Sequence, residues 1–436
     1  MSLIDDKWEL LFDRYEIEKK VSESGLFSIT ADQIREFKEP RLMTKFDTRE
    51  SLPKVFGQKL GILPVTRGSY VIGEFNLYQE FPDTLGPEAS GRRITRFSVP
   101  DWYETIDASD IRSEASAINV MGVTGMLDDF LGERNLRQTV SGRMASGQFG
   151  FWVDSRNGKL FPGGKDCIGR KRITVNNSQV EIDGGFESRE SFAIIEGKNV
   201  VHSNFLVRQL YYPYRLWEEK LRKPVRPVFL VYSNNIFRLI EYEFAGKEYY
   251  NSICLVKEKL YSLEDTDITG EALYGVWQQT EVKPEPDVTF IQADSFDKVI
   301  SLTEHLKERP LSAPEIAERF GFRERQSDYY YNACKYLGLA EKRKGEDGVV
   351  RVGLTERGRG ILKLRYKPRQ LEYVKLILEH QIFHDLFEET LRAGEVPEKQ
   401  RICQKMRELT VCGPNLILRR ASSVAGWLRW MLSLMP

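Results

Sequence analysis

Alternating polar and apolar residues predict three short strands in the middle of the chain. Polar and apolar side chains alternate along Gln179–Asp183, while Phe192–Lys198 begins with four apolar residues and ends in Glu-Gly-Lys. The aromatic run Phe149–Val153 predicts a strand as well. Since strand side chains alternate between two faces, Glu181 and Asp183 share a face.

Helical patterns precede and follow these strands. Apolar spacing predicts one helix over 113–131 and another over 205–221, where Pro213 should kink or restart the helix. The apolar runs Pro227–Ser233 and Phe237–Phe244 predict two more strands. Helix, three strands, helix and two strands in this order predict an α/β fold, with one mixed sheet flanked by helices.

The regions on either side of this core have other patterns. The chain begins with an amphipathic helix and continues with strands interrupted by Pro and Gly. Proline and charge collect at 281–287, which predicts a linker. Three short helical segments over 296–339 and a hairpin with a Gly-containing turn over 340–355 then predict a winged helix.

These patterns divide the 436 residues into five regions. The N-terminal α+β region is open to interpretation as a DNA-reading or a dimerisation element, and the helical C-terminal region as a second helix-turn-helix unit. The regions are 1–105 (α+β), 106–265 (α/β core), 266–292 (linker), 293–364 (winged helix) and 365–436 (helical).

Charge and cysteine content narrow the classes of function. Lys+Arg and Asp+Glu balance at 64 each, but the stretch from Phe296 to Pro436 holds 26 basic against 19 acidic residues, so this end is the better polyanion binder. Five scattered cysteines without a CxxC pair argue against a disulfide framework and a zinc ribbon. An acidic start without a long apolar run predicts a cytoplasmic protein.

Two carboxylates and a lysine carry the candidate chemistry. If Gly184 and Gly185 open the turn of a hairpin, Asp183 comes to lie beside Glu196 and Lys198. Mg²⁺ is usually held by one or two carboxylates together with substrate phosphate and water. Asp183 and Glu196 are therefore predicted metal ligands, and Lys198 is predicted to position the attacking water and to stabilise charge on the phosphate.

These residues resemble the PD-(D/E)XK nuclease motif, with Asp183 as its aspartate and Glu196-Gly197-Lys198 as its E-x-K, although Ile182 replaces the proline. Further blocks resemble a branch of bacterial type II restriction endonucleases. These blocks are Pro40–Asp47, Ser141–Phe149, Gln179–Ser188, Arg208–Trp217 and the tail Arg419–Trp430.

The resemblance implies Mg²⁺-dependent, sequence-specific cleavage of double-stranded DNA. It also implies an additional acidic residue from the preceding helix, Glu114, and a supporting glutamine from the following helix, Gln209. A cognate DNA methyltransferase is expected in the same system, because an unprotected host genome would be cut. Two cuts on opposite strands need two active sites, so we expect a homodimer, at least on DNA.

The winged-helix region supplies the predicted DNA contacts. Arginine, asparagine and glutamine contact base edges, and basic residues at the start of the wing would meet the phosphate backbone. The predicted contact residues are Arg323, Arg325, Gln326, Ser327, Tyr330 and Asn332 on or before the third helix, and Lys342, Arg343 and Lys344 in the wing. Arg143, Lys165, Lys171 and Arg172 are weaker candidates for phosphate contacts near the core.

Several alternatives stay open at this point. Glu181 or Glu187 could replace or join Asp183 as a ligand, and the motif could be a solvated sheet face. His380 and His384 have the i, i+4 spacing of a zinc helix but lack the glutamate of a zinc protease, so a structural role is favoured. The whole chain could be a DNA-binding regulator with an inactive nuclease scaffold, or a modification-dependent or nicking endonuclease.

Overall fold

The computed structural model describes residues 3–57, 59–83, 93–155, 169–322 and 324–435. The chain forms two compact units, and the N-terminal region belongs to the same unit as the central strands. The first unit comprises Met1–Phe81, Asp101–Val231 and Arg238–Lys259, and the second comprises Pro82–Pro100, Tyr232–Phe237 and Leu260–Pro436.

The N-terminal part of the first unit is a small α+β layer. Its three-stranded antiparallel sheet has the order β1-β3-β2. Trp8, Leu11 and Phe12 from the predicted amphipathic helix are buried, and the ring of Trp8 lies 4.9 Å from that of Phe56. The elements are α1 (Leu3–Tyr15), α2 (Ile17–Ser24), β1 (Leu26–Thr30), α3 (Ala31–Arg35), α4 (Pro40–Met43), β2 (Leu60–Pro64), β3 (Ser69–Glu74) and β4 (Tyr78–Glu80).

The predicted mixed sheet is present. Its strand order is β5-β14-β13-β12-β10-β9-β6, and β10 pairs parallel with β12 but antiparallel with β9. The strands are β5 (Ile94–Arg96), β6 (Arg137–Ala145), β7 (Gln148–Asp154), β8 (Arg170–Asn176), β9 (Gln179–Glu187), β10 (Phe192–Lys198), β11 (Asn204–Leu206), β12 (Val225–Ser233), β13 (Ile236–Phe244) and β14 (Ile253–Ser262). Hairpin β7–β8 and pair β4–β11 form separate two-stranded sheets.

Helices cover this sheet. They are α5 (Glu114–Thr124), α6 (Met126–Leu131) and α7 (Arg208–Glu218). The single helix expected over 113–131 is divided at Gly125, which adopts a left-handed conformation with φ of 80° and so ends α5. The helix does not restart at Pro213, because α7 continues through this residue.

The hairpin between β9 and β10 forms as predicted, but its turn lies elsewhere. Gly184 and Gly185 pair with Ile195 and Ile194 inside the ladder, so they do not open the turn. The chain instead reverses around Ser188, whose backbone N–H donates to the carbonyl of Ser191 at 3.0 Å. These two strand positions require glycine, because the rings of Phe186 and Phe192 occupy the space that a Cβ atom would need.

The second unit contains the three predicted helices and hairpin. Ser312 and Glu315 form a capping box at the start of the second of these helices, and Gly321 (φ 61°) ends it. The elements are α8 (Gly270–Gln279), α9 (Phe296–Leu306), α10 (Ala313–Phe320), α11 (Glu324–Tyr336), β15 (Ala340–Lys344), β16 (Val350–Leu354), α12 (Glu356–Ile361), α13 (Tyr366–Leu378), α14 (Gln381–Ala393), α15 (Lys399–Glu408) and α16 (Ile417–Leu432).

The predicted linker 266–292 contains a helix, α8 (Gly270–Gln279), and only its remainder, including 281–287, lacks regular secondary structure. The segment after α8 is anchored. The hydroxyl of Tyr336 donates to Glu285 at 2.8 Å, and the backbone N–H of Lys283 donates to the carbonyl of Glu379 at 2.7 Å. None of the helices in the described ranges has the length and apolar character needed to cross a membrane. Cys254, Cys334, Cys403 and Cys412 are free thiols, and Cys167 lies outside the described residues.

Candidate active site

The site begins where the β9–β10 ladder ends. The last paired residues are Gly184 and Ile195, and the next residue on each strand is an acid, Asp183 or Glu196. Instead of a ladder bond, Oδ2 of Asp183 accepts the backbone N–H of Gly197 at 2.9 Å. Strand alternation places Asp183 and Glu196 on the same face of the sheet. The predicted juxtaposition of the two acids is therefore confirmed.

Lys198 and Gln209 converge on Glu196. The Nζ of Lys198 donates to Oε1 of Glu196 at 2.8 Å, and Nε2 of Gln209 donates to the same oxygen at 2.6 Å. The Glu196 and Lys198 side chains are each only 12% exposed. A pair of charges this deeply buried requires close partners, because desolvation is otherwise too costly. The structure thus brings Gln209, on the first turn of α7, to the predicted carboxylate.

Glu114 lies at the same end of the sheet. It is the first residue of α5, and Ser113 caps the helix by accepting the backbone N–H of Ser116 at 3.1 Å. Oε1 of Glu114 accepts the backbone N–H of Asn199 at 3.3 Å, which places it directly after the E-G-K segment. The four predicted partners of Asp183 therefore surround one end of β10.

Burial and neighbouring charge shift the pKa values in this cluster. Burial raises the pKa of Glu196 to about 8, and Asp183 adds to this rise while Lys198 opposes it. Burial also raises the pKa of Glu114. For Lys198, burial favours the neutral amine, but Glu196, Asp47 and Glu114 outweigh it and raise the pKa. Lys198 is therefore a cation at neutral pH, and Glu196 readily carries a proton.

Asp47 is a member of this cluster that the sequence patterns did not single out. Its charge acts on both Glu196 and Lys198. The backbone there is fixed because the N–H of Leu206 donates to the carbonyl of Asp47 at 2.9 Å. Asp47 ends one of the blocks that carry the family resemblance, which was the available signal. Its proximity depends on packing of the N-terminal layer against the central part of the unit.

Gly197 allows α5 to approach the site. A Cβ at this position would lie 3.1 Å from Cβ of Glu114 and 3.3 Å from Cδ1 of Ile118.

We expect Gly197→Ala to lower the free energy of unfolding by about 1–3 kcal/mol, because crowding would displace α5. Urea unfolding measures this change. Gly275→Ala on α8 is the control, since nothing lies within 4 Å of its Cβ position and alanine favours helices. Equal stability of the two variants would contradict the expectation.

The acidic side chains of this cluster offer oxygen donors to Mg²⁺. Over the described ranges, no group of three or more His, Cys, Asp or Glu side chains is arranged to hold a metal ion. Mg²⁺, however, commonly takes only one or two protein carboxylates. Asp183 and Glu196 would hold the ion, since the carboxylates of both lie at the same end of the β9–β10 pair. These hard oxygen donors fit Mg²⁺.

The two alternative ligands have ion-pair partners of their own. Glu181 is exposed and pairs with Arg143 at 3.2 Å. Glu187 pairs with Lys223 at 2.7 Å, and it lies opposite Phe192 at the other end of the hairpin. The structure therefore does not bring Glu187 to the proposed metal ligands.

Three of the four weaker candidates for phosphate contacts lie within the described residues. Arg172 lies over the ring of Trp152, with its guanidinium carbon 5.6 Å from the ring centroid, and Lys171 is half-buried. Lys165 lies outside the described residues.

The paired histidines have separate partners. Nδ1 of His380 lies 3.0 Å from Glu285, and its ring stacks on Tyr336 with centroids 3.8 Å apart. The ring of His384 stacks on Trp277 at 5.3 Å. Both histidines thus take part in packing, as favoured from the sequence.

On α11, only part of the predicted DNA-contact set faces outward. Arg325 is exposed, and Gln326 and Asn332 are half-buried. Ser327 and Tyr330 are 1% and 5% exposed, so the structure corrects the expectation that they contact bases. Tyr330 instead stacks on Phe322 with ring centroids 4.7 Å apart. Arg323 lies outside the described residues.

The hairpin β15–β16 presents an exposed basic strand. Lys342, Arg343 and Lys344 are all exposed, as their predicted role requires. Lys342 pairs with Asp328 of α11 at 2.9 Å, and Arg343 pairs with Glu341. Acidic neighbours therefore balance two of the three cations.

Comparison with known proteins finds three family models, each a domain of unknown function. They match residues 5–72 (DUF6996), 73–262 (DUF6997) and 298–436 (DUF7226). The second of these contains the whole of the cluster except Asp47, which falls in the first. No curated protein and no solved structure matches the chain.

Proposed function

We propose that this protein is a Mg²⁺-dependent endonuclease of the restriction type that cleaves double-stranded DNA. The observation that carries the proposal is the convergence of Asp183, Glu196 and Lys198 at the splayed end of one strand pair. Buried acids with a raised pKa next to a lysine are uncommon outside functional sites, because each charge is costly to bury.

The residues divide the work of phosphodiester hydrolysis. Asp183 and Glu196 would hold Mg²⁺, which when bound polarises the phosphate and lowers the pKa of a water ligand. Gln209 fixes the orientation of the Glu196 carboxyl group. Lys198 carries a positive charge beside the reacting phosphate and stabilises the negative charge that develops there. Since its pKa is raised, Lys198 does not serve as the general base at neutral pH.

The second unit is proposed to bind DNA as a winged helix, with α11 in the major groove and β15 along the backbone. An enzyme that cuts both strands at a symmetric sequence needs two copies of the site, so we also propose a homodimer on DNA. We also propose a partner DNA methyltransferase, because the enzyme would otherwise cut the unprotected host genome.

The basic strand β15 gives a direct prediction for DNA binding. We expect the double variant Lys342→Ala/Lys344→Ala to weaken binding to all duplexes alike, because phosphate contacts carry no sequence information. The slope of log Kd against log salt concentration should fall by about 0.9 for each phosphate that the variant no longer neutralises. Fluorescence anisotropy at several salt concentrations measures both changes. Arg392→Ala, which removes an 80% exposed cation of α14, is the control, and an equal effect there would contradict the assignment.

The function itself is tested by incubating the full-length protein with unmethylated and methylated plasmid DNA, with Mg²⁺ or with EDTA. Discrete fragments that appear only with Mg²⁺ are expected, and the methylation pair identifies the kind of endonuclease. A protein that shifts DNA on a native gel but leaves every plasmid intact would instead be a DNA-binding regulator.

A further inference from the structure

A groove of about 610 Å³ lies in the second unit between α11 and the C-terminal helices. Its volume falls within the range of sites that hold small molecules, about 300–1,000 Å³. Its walls carry aromatic, amide, carboxylate and cationic side chains together. We call this cavity the α11–α16 groove. Its lining includes Asp294, Gln326, Tyr329, Lys399, Asn415 and Arg419.

An aromatic ring with cations around it occupies one wall. Tyr329 is half-buried, and the guanidinium carbon of Arg419 lies 5.9 Å from its ring centroid. Arg325 of α11 lies 5.7 Å from the same centroid. Nucleobases stack on rings of this kind, and arginine adds cation–π attraction and contacts to phosphate. Exposed Arg419 therefore gives the groove an anion-binding rim.

The other wall of the groove is not that of a simple phosphate site. Asp294 contributes a carboxylate, which would repel a phosphate group, and its Oδ1 accepts the hydroxyl of Tyr330 at 3.4 Å. The amides of Gln326 and Asn415 offer both donors and acceptors. Together these groups match the mixed donor and acceptor edge of a base.

The segment that carries Asp294 is also held in place. The indole N–H of Trp427 donates to the carbonyl of Ala293 at 3.0 Å, and the guanidinium of buried Arg420 donates to the carbonyl of Phe290 at 2.7 Å. A Cβ at Gly426 would lie 2.2 Å from the carbonyl oxygen of Asp294, so α16 and this segment are in direct contact. The groove is therefore preformed, which limits the entropy lost on binding.

We propose that the α11–α16 groove binds a single nucleotide turned out of the DNA helix, with the base on Tyr329 and the phosphate at Arg419 and Lys399. This inference rests on the proposed DNA-cleaving function and adds a reading step to it, in which one base is inspected outside the duplex. Extrusion costs free energy because stacking and pairing are lost, and this cost is smaller for a mispaired base than for a paired one. Duplexes with a mismatch should therefore bind more tightly than fully paired duplexes.

The test uses the full-length protein in EDTA, so that no cleavage interferes. Isothermal titration calorimetry measures binding of the four deoxynucleoside monophosphates, of 5-methyldeoxycytidine monophosphate and of inorganic phosphate. We expect at least one nucleotide to bind at least about ten-fold more tightly than phosphate, and Tyr329→Ala and Arg419→Ala each to lower that affinity about ten-fold or more. Tyr329→Phe should retain binding, and Arg392→Ala should have no effect.

Three outcomes would overturn the inference. Phosphate binding as tightly as every nucleotide would show an anion site only, and nucleotide binding unchanged in Arg419→Ala would place the ligand elsewhere. Because Arg419 is exposed, its variant remains informative if Tyr329→Ala fails to fold. The same titration of Lys198→Ala separates the two proposals, since nucleotide binding should survive there. A protein that cleaves plasmid but binds no nucleotide would retain the proposed function and lose this inference.

Discussion

Lys198→Ala is expected to lower the rate of DNA cleavage by about 10²–10³-fold, the effect of removing one group that stabilises transition-state charge. DNA binding should remain, because the predicted DNA contacts lie in the second unit. The cleavage rate is measured under single-turnover conditions with saturating Mg²⁺, and DNA binding is measured in EDTA. The expected result is thus a loss of rate without a loss of affinity.

The hairpin provides a matched control for this variant. Lys223 pairs with Glu187 at 2.7 Å at the far end of β9 and β10, much as Lys198 pairs with Glu196 at 2.8 Å. Lys223→Ala removes an ion pair of similar length but greater exposure (27% and 36%, against 12% for each member of the Lys198–Glu196 pair) away from the proposed site, and it should leave the rate within a few-fold of wild type. Equal loss in both variants would show that the hairpin's stability, and not the lysine's chemistry, determines the rate.

Stability is a second readout of Lys198→Ala. Removing one member of a buried ion pair usually destabilises a protein by about 3–5 kcal/mol, because the other charge is left without a partner. Glu196 already has a pKa of about 8 with Lys198 present, and loss of the cation raises it further. At pH 7 the variant can therefore keep Glu196 neutral, so we expect a smaller loss there than at pH 9, measured by urea unfolding.

The sequence predicted the β9–β10 hairpin better than it predicted the residues packed around the hairpin. Alternation along β9 and β10 predicted which side chains share a face, because the two-residue period of a strand is a local property. The expectation that Gly184 and Gly185 open the turn was wrong, since these glycines are required by aromatic packing and not by chain reversal. Asp47 was missed for a related reason: no local pattern records which loop of a separate layer packs against the strand.

The correction on α11 could have been foreseen. Ser327, Tyr330, Tyr331 and Cys334 follow the i, i+3, i+4, i+7 spacing of a buried helical face, and all four are buried. Residue chemistry favoured Ser327 and Tyr330 as DNA contacts, but helical phase assigns them to the core. Where the two signals conflict on a helix, burial of the apolar stripe determines the orientation, because the tyrosine rings contribute far more to packing than one hydroxyl contact.

Mg²⁺ affinity is expected to rise steeply with pH up to about 8 and then to level off. The proposed ligand Glu196 has its pKa raised by burial to about 8, so at lower pH Mg²⁺ must displace a proton from it. Each pH unit below that value should weaken Mg²⁺ binding by up to about ten-fold. Calorimetry of Mg²⁺ binding from pH 6 to pH 9, in buffers of different ionisation enthalpy, measures both the affinity and the protons released.

The same shift determines how stability depends on pH without metal. The folded protein holds a proton on Glu196 between the ordinary glutamate pKa of 4.5 and about 8, whereas the unfolded chain has released it. Because the native state then binds more protons, the contribution of Glu196 to the free energy of unfolding decreases as pH rises through this window. In the proposed function Mg²⁺ would replace this proton, so its stabilising effect should be larger at pH 8.5 than at pH 6.5.

Glu196→Gln shows whether the ionisation of Glu196, and not that of another group, causes these pH dependences. An amide keeps the shape of the side chain but neither ionises nor binds Mg²⁺ strongly, so both the pH dependence of Mg²⁺ affinity and the metal-dependent stabilisation should disappear. Glu187→Gln, at the other end of the hairpin, should retain both. If wild-type Mg²⁺ affinity were the same at pH 6.5 and pH 8.5, Glu196 would not be a ligand, and the metal would have to bind through Asp183 and other oxygens.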